Sequence, residues 1–503
     1  MKNRVEITKI PSGVPGLDDI LGGGFPQFSF NIIAGSPGSG KTTLAHQFMF
    51  ANATVEQPAL YFTVLGEPAL KMLRYQQQYA FFDETKLNNA VRFINLSQEL
   101  LDGGLKRVLE EISRQVQTID AAIVVVDSFR TVLRTERHDD LDLDVQDFVQ
   151  QLALRLTSWQ ATTFLIGEYG EAELHDNPVF TVADGLFWLY QQVEVNSVVR
   201  KLQIMKLRGQ SSVPGLHTFR ITAEGIQAFS RMLGLNGRRK KVRDRRRLSI
   251  GAPGLDEMLN GGIPEGDSVL VAGSSGTGKS LLATQFIMAG LEAGEPGILA
   301  VFEERPEEYM HRALLFGIDL KPSLDNGTLE LIYLRPLDLS VDEMMQELID
   351  AVERIGAKRL VIDSLAGFEI ALSPGFRSDF RESLYRMIYG LTGLGITILS
   401  TLEMQETFDQ MPLTSYLISF LSDDVIRMRY VEIESQLRKL IMVVKMRGAP
   451  HSKDIREYDI SSEGLVIGER LADYVDLLTG VPRPLSASND SDRTRSRKNK
   501  KKV

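Results

Sequence analysis

The sequence predicts an α/β protein made of two tandem copies of one domain, each a mainly parallel sheet flanked by helices. Two observations carry this: the chain repeats itself in four ordered blocks, and each copy alternates short apolar runs with amphipathic stretches. PGLDDILGGGFP (Pro15–Pro26) returns as PGLDEMLNGGIP (Pro253–Pro264), 238 residues later. GSPGSGKT (Gly35–Thr42) returns as GSSGTGKS (Gly273–Ser280) at the same offset. IVVVDS (Ile123–Ser128) returns as LVIDS (Leu360–Ser364), and MKLRG (Met205–Gly209) as VKMRG (Val444–Gly448). A period this long is not that of a solenoid; it marks duplication of a whole domain.

The strands follow from the apolar runs. FNIIAG, ALYFTV, AAIVVVD and TTFLIG serve the first copy; DSVLVAG, GILAVF, RLVIDS and ITILST serve the second. Continuous β-branched runs separated by helical patterns read as strands buried on both faces of a parallel sheet. The expected organisation is a first domain over 1–232, a basic linker over 233–247, a second domain over 248–470, and a C-terminal loop and tail over 471–503. From about Leu485 the chain is Ser, Asn, Asp, Arg and Lys, a composition that cannot build a core and predicts disorder.

Composition narrows the function classes. The 503 residues are 43% hydrophobic and 24% charged, as in globular proteins. No apolar run approaches the length of a membrane span, and the opening MKNRVEITKI lacks the apolar core of a signal peptide. With no cysteine, disulfides and thiolate metal sites are excluded, which fits a cytoplasmic protein. The basic strips RRKKVRDRRR (238–247) and RTRSRKNKKKV (493–503) carry +14 between them, so the rest must hold −23 to reach the total of −9. That acidic body argues against nucleic acid as a partner, the basic strips excepted.

Both GxxxxGK[ST] motifs follow an apolar strand and open a helical segment, the context of a phosphate-binding P-loop. The candidate ATP-binding residues are Gly35, Ser36, Pro37, Gly38, Ser39, Gly40, Lys41, Thr42 and Thr43, then Gly273, Ser274, Ser275, Gly276, Thr277, Gly278, Lys279, Ser280 and Leu281. The lysines are expected to reach the β- and γ-phosphates, and Thr42 and Ser280 to ligate Mg²⁺. Asp127 and Asp363 each end a strand beside a P-loop and complete the metal set.

A catalytic pair is expected at Glu303 and Glu304, at the end of GILAVF, where a carboxylate would activate a nucleophile in line with the γ-phosphate. The repeat aligns Phe302–Pro306 without gaps on Val64, Leu65, Gly66, Glu67 and Pro68, so the first copy has lost the pair. Glu67, one residue on, belongs to the opposite strand face, and Glu168 is another substitute. A division of labour follows: ATP mainly for assembly in the first copy, chemistry mainly in the second. Lys206 with Arg208 and Lys445 with Arg447 are two apart on strands and share a side. They are candidates for stabilising γ-phosphate charge, on their own nucleotide or a neighbour's.

Together these duplicated motifs resemble the KaiC family of RecA-like double-domain ATPases, over roughly residues 8–470. The resemblance implies two RecA-like P-loop domains in a double-ring homo-hexamer, with ATP between subunits and Lys206, Arg208, Lys445 and Arg447 acting in trans. Clock members also phosphorylate themselves, with the second-domain glutamates as base and adjacent Ser-Thr acceptors. Anchored on YVEI (Tyr430–Ile433), that pair falls on Ser419-Phe420, and a nearby family threonine on Thr414. Phe420 has no hydroxyl, so a two-site cycle is excluded at this pair, while Ser419 stays open as a single acceptor. ERLADYVDLLTGVPRPL would correspond to the family's C-terminal regulatory loop, with a basic tail where a regulatory protein partner could dock. Two other readings remain: a RecA- or helicase-like DNA-dependent ATPase, and a nucleotide-gated scaffold without turnover.

Overall fold

The computed structural model describes residues 7–63, 69–128, 141–173, 177, 179–194, 197–231, 245–334, 340–371, 380–404, 422–462, 464–477 and 482–485. Two compact units divide between Arg231 and Met232.

In the first unit nine strands form one sheet: β1 (Phe30–Gly35), β2 (Ala59–Thr63), β3 (Val91–Asn95), β4 (Ile123–Asp127), β5 (Thr162–Glu168), β6 (Gly185–Glu194), β7 (Ser197–Leu207), β8 (Leu216–Thr222) and β9 (Gly225–Phe229). The second unit repeats them as β10 (Ser268–Gly273), β11 (Gly297–Val301), β12 (Leu329–Tyr333), β13 (Arg359–Asp363), β14 (Thr397–Glu403), β15 (Asp424–Ile433), β16 (Gln436–Met446), β17 (Arg456–Ser461) and β18 (Gly464–Arg470). The first sheet runs β3-β2-β4-β5-β1-β6-β7-β8-β9 and the second β12-β11-β13-β14-β10-β15-β16-β17-β18. The two orders are the same. Six strands from one edge through β6 or β15 are parallel, and the last three add an antiparallel meander. All eight strands read from apolar runs lie in this parallel part, and the KxRG residues fall at the ends of β7 and β16; β3, β6, β8, β9 and their second-unit counterparts are absent from the sequence reading.

The parallel strands are buried on both faces because successive residues point to opposite sides. Phe30, Ile32 and Ala34 join one apolar cluster and Ile33 the other. Leu270 and Ala272 oppose Val269 and Val271 in the same way. Helix α1 (Lys41–Asn52) follows β1, and α2 (Lys279–Glu292) follows β10. Both are buried nearly all round, as helices inside a large domain are. Each starts after a left-handed glycine, Gly40 at φ 99° and Gly278 at φ 91°. A Cβ there would also collide with Ile221 or Ile460, so these motif glycines serve backbone geometry as well as close approach.

The PGLD blocks are structural. Asp18 accepts a hydrogen bond from the Ser12 amide, and Asp256 from the Ile250 amide, both at 2.8 Å. Each fixes the chain before its own short helix. The expected linker is shorter than its charge run suggests. Arg245 pairs with Asp267, Arg246 with Glu295 at 2.8 Å, and Arg247 donates to the Leu259 and Gly262 carbonyls. Arg247–Leu248 also pairs with Ile263–Pro264. These arginines find carboxylates and carbonyls on the second unit, so that end of the strip is folded.

Candidate nucleotide sites

Parallel register decides what meets at each P-loop. Gly35 ends β1 beside Glu168, and Thr63 stands opposite Asp127. In the second unit Gly273 ends β10 beside Glu403, and Val301 stands opposite Asp363. The carboxyl ends of the strands therefore gather a P-loop, an aspartate and a glutamate in both copies. Glu168 and Glu403 occupy the same position, so Glu168 is the counterpart of Glu403 and not a relocated member of the lost pair. Sequence reading missed Glu403; the repeat of a strand-end acid, LIGE against STLE, was the available signal.

In the second unit a cleft of about 350 Å³ is lined by Lys279, Ser280, Asp363, Glu303 and Glu403, among others. Lys279 is buried, and its ammonium donates to the Ser274 carbonyl at 2.8 Å. Burial lowers its pKa, while Glu403, Asp363 and Glu303 pull it back up. Thr401 holds Asp363 by a hydrogen bond to Oδ1. Glu303 is exposed to the cleft and accepts from the Ser364 hydroxyl at 2.7 Å. Glu304 does not line the cleft itself and is paired at 2.6 Å with Arg312, which does. Its pKa is raised by desolvation, against the opposing charge of Arg312. The two glutamates thus have different surroundings, and only Glu303 lines the cleft.

The first unit holds its aspartate differently. Thr42 donates to Asp127 Oδ2 at 2.7 Å, and the buried Tyr61 hydroxyl donates to the same oxygen at 2.5 Å. Desolvation raises the Asp127 pKa, while those two hydrogen bonds and the Lys41 charge oppose it. Lys41 donates to the carbonyls of Gly35 and Ser36 at 3.1 and 2.8 Å. Tyr61 packs on His46, ring centroids 4.5 Å apart. Leu299 and Thr284 stand at the corresponding places in the second copy, so this support belongs to the first alone. Val64, Leu65, Gly66, Glu67 and Pro68 lie outside the described residues, as do Thr414 and Ser419.

The donor set fits Mg–ATP. Each copy offers a strand-end aspartate and a P-loop hydroxyl, and no cluster of three metal-ligating side chains occurs among the described residues. A small hard cation that keeps water and shares phosphate oxygens suits such a set.

Lys206 and Arg208 do not approach their own P-loop. Gly185 pairs with both Asn31 and Leu207, which puts the KxRG end of β7 at the amino end of β1. Asp184 bridges the two, accepting from the Phe30 amide at 3.1 Å and from Arg208 at 3.3 Å. Asp423 does the same in the second unit, with the Ser268 amide at 3.2 Å and Arg447 at 3.5 Å. A six-residue strand, about 20 Å long, separates each pair from its own phosphate loop. Lys206 donates to the Thr181 carbonyl and Lys445 to that of Ser422, and burial lowers both pKa values. Arg208 and Arg447 are exposed, at 60% and 64% of their side-chain surface.

A family model for the KaiC ATPase matches residues 10–232 and again 248–472. The chain belongs to the KaiC family. Its two sheets are the family's tandem RecA-like domains, and its activity class is that of an ATP-binding KaiC-type ATPase. Among similar proteins, the circadian clock oscillator protein KaiC of Acaryochloris marina is 28% identical, covering 98% of this chain and 95% of that protein. KaiC of Thermostichus vulcanus is 28% identical with the same coverage. KaiC of Prochlorococcus marinus strain SARG is 27% identical over 96% of this KaiC-family chain and 97% of its own length. Among the described residues no helix is long and apolar enough to cross a membrane.

Proposed function

We propose that this KaiC-family chain is a ring-forming, Mg²⁺-dependent ATPase of a signalling or timing kind, with its chemistry concentrated in the second domain. The observation that carries this is Glu303, an exposed carboxylate in the same cleft as Lys279, Ser280 and Asp363. Lys279 and the loop amides bind the phosphates. Ser280 and Asp363 would hold Mg²⁺, which would offset phosphate charge. Glu303 takes a proton from the attacking water, or from the Ser419 hydroxyl in a single-site autokinase reaction.

The KxRG residues act on a neighbouring subunit's nucleotide. Their distance from their own P-loop supports this, and a homo-hexameric double ring supplies the neighbour. The first domain binds Mg–ATP chiefly to hold the ring. A regulatory protein meets the C-terminal loop and basic tail. Three of the eight basic residues of the 238–247 strip, Arg245, Arg246 and Arg247, are engaged by the second unit and so are taken from a nucleic-acid surface.

Incubation of the full chain with γ-labelled ATP and peptide mapping tests both parts. Label on the Ser419 peptide is expected, absent from Lys279→Ala. Lys279→Ala should remove most phosphate release, whereas Lys41→Ala should chiefly weaken assembly. Retention of most ATPase activity in Lys279→Ala overturns the assignment of chemistry to the second domain. Phosphate release without protein label leaves an ATPase and removes the kinase.

A further inference from the structure

The two phosphate loops share one motif but are held from outside by different side chains. Register fixes the correspondence. Gly35 pairs with Leu189 and Gly273 with Met428, so Gln191 and Tyr430 stand at equivalent positions two residues on. Thr222–Gly225 and Ser461–Gly464 close equivalent hairpins, which places Phe219 and Tyr458 at one position. In the second copy both positions are tyrosines, and both hydroxyls end on the loop. Tyr430 donates to the Gly276 carbonyl at 2.7 Å, and Tyr458 to the Thr277 carbonyl at 2.5 Å. Tyr458 is only 1% exposed. In the first copy Phe219 has no hydroxyl. Gln191 lies beside Gly38 with its Oε1 unpaired.

The consequence follows from peptide geometry. In a planar trans peptide the C=O and the next N–H point in opposite directions. A hydroxyl that holds the Thr277 carbonyl outward therefore aims the Gly278 amide inward, where a phosphate oxygen would sit. Tyr430 holds the preceding peptide plane, between Gly276 and Thr277, whose amide closes the loop's own turn onto the Ser274 carbonyl at 3.4 Å. A loop already held in its binding shape loses less freedom when it closes on a ligand.

We propose that Tyr430 and Tyr458 are positioning residues that preorganise the second phosphate loop, so that it binds adenine nucleotide more tightly than the first. This rests on the reading that both loops bind nucleotide. It does not depend on which copy hydrolyses it.

The test is titration of the full-length protein with a fluorescent ADP in Mg²⁺, because ADP separates binding from turnover. Wild type should show two affinity classes. Tyr458→Phe should weaken the tighter class roughly fivefold, the scale of one neutral hydrogen bond, and leave the other unchanged. The double variant Tyr430→Phe/Tyr458→Phe should weaken it further. In steady state KM should rise while kcat at saturating ATP stays within about twofold, a split that a general packing defect does not give. The converse variant Phe219→Tyr adds the missing hydroxyl to the first copy and should tighten the weaker class, a gain that damage cannot produce. The proposal is overturned if the double variant leaves both classes unchanged, or if it weakens both equally. If Lys279→Ala spares hydrolysis while Tyr458→Phe still weakens one class, the tyrosine assignment stands and the placement of chemistry in the second copy falls.

Discussion

Glu303 and Glu304 are adjacent in the chain, yet they face different partners. Glu303 lies against the Ser364 hydroxyl in the cleft, while Glu304 is tied to Arg312 on the following helix. A base must reach the proton it removes, so the proposed chemistry falls to the first and the proposed role of the second is to hold Arg312. Glu303→Gln should lower kcat about 10²- to 10⁴-fold, the usual range for a general base. Glu304→Gln should cost far less, and Arg312→Ala should reproduce its effect. Steady-state phosphate release on the three variants checks this; equal losses for both glutamates would overturn the split. The pair itself was legible in the sequence from its place at the end of an apolar run. The difference between its members was not, because it depends on which way a short turn leaves the strand. Tyr61 was hidden for a related reason: an aromatic in an apolar run looks like core, and only packing shows its hydroxyl ending on Asp127.

At the scale of the strand, the KxRG pairs show what register decides. Two copies about 165 residues after their P-loops said nothing about reach. The antiparallel turn back from β6 to β7 carries Arg208 to the far end of the sheet, and β15 to β16 does the same for Arg447. Action on a neighbour makes a complementation prediction. Lys279→Ala and Arg447→Ala should each be inactive in the second site alone. Mixed and reassembled, they should regain about a quarter of wild-type activity, the share of random interfaces that join an intact P-loop to an intact arginine. Phosphate release after subunit exchange reads the result. Mixtures no more active than the separate variants would place the arginine elsewhere.

For the second unit as a whole, charge at the amino end of the sheet bears on stability. Asp424 is fully buried, and its Oδ2 has no partner. Desolvation, with Asp267 and Asp423 nearby, pushes its pKa up to about 7. A carboxyl raised in the folded state binds its proton more tightly than in the unfolded chain. Its destabilising effect is therefore absent below the unfolded pKa and grows as pH rises from about 4 to about 7. Asp424→Asn should melt with wild type near pH 4 and several degrees above it at pH 8. Thermal unfolding across that range checks the sign, and a gap that does not widen with pH would refute it.

Two copies of one α/β fold, the place of each P-loop motif and strand-end aspartate, and the absence of a glutamate pair from the first copy could all be read from the chain alone. These are local facts: a motif, a strand end and a repeat are written in neighbouring residues. The match of Glu168 to Glu403, the strand's length between Arg208 or Arg447 and its own loop, and the two tyrosines on one loop and not the other come from the folded arrangement. Tyr458 and Thr277 are 181 residues apart in the chain. Such pairs meet only because strands are placed side by side in one register, a relation that no local pattern encodes.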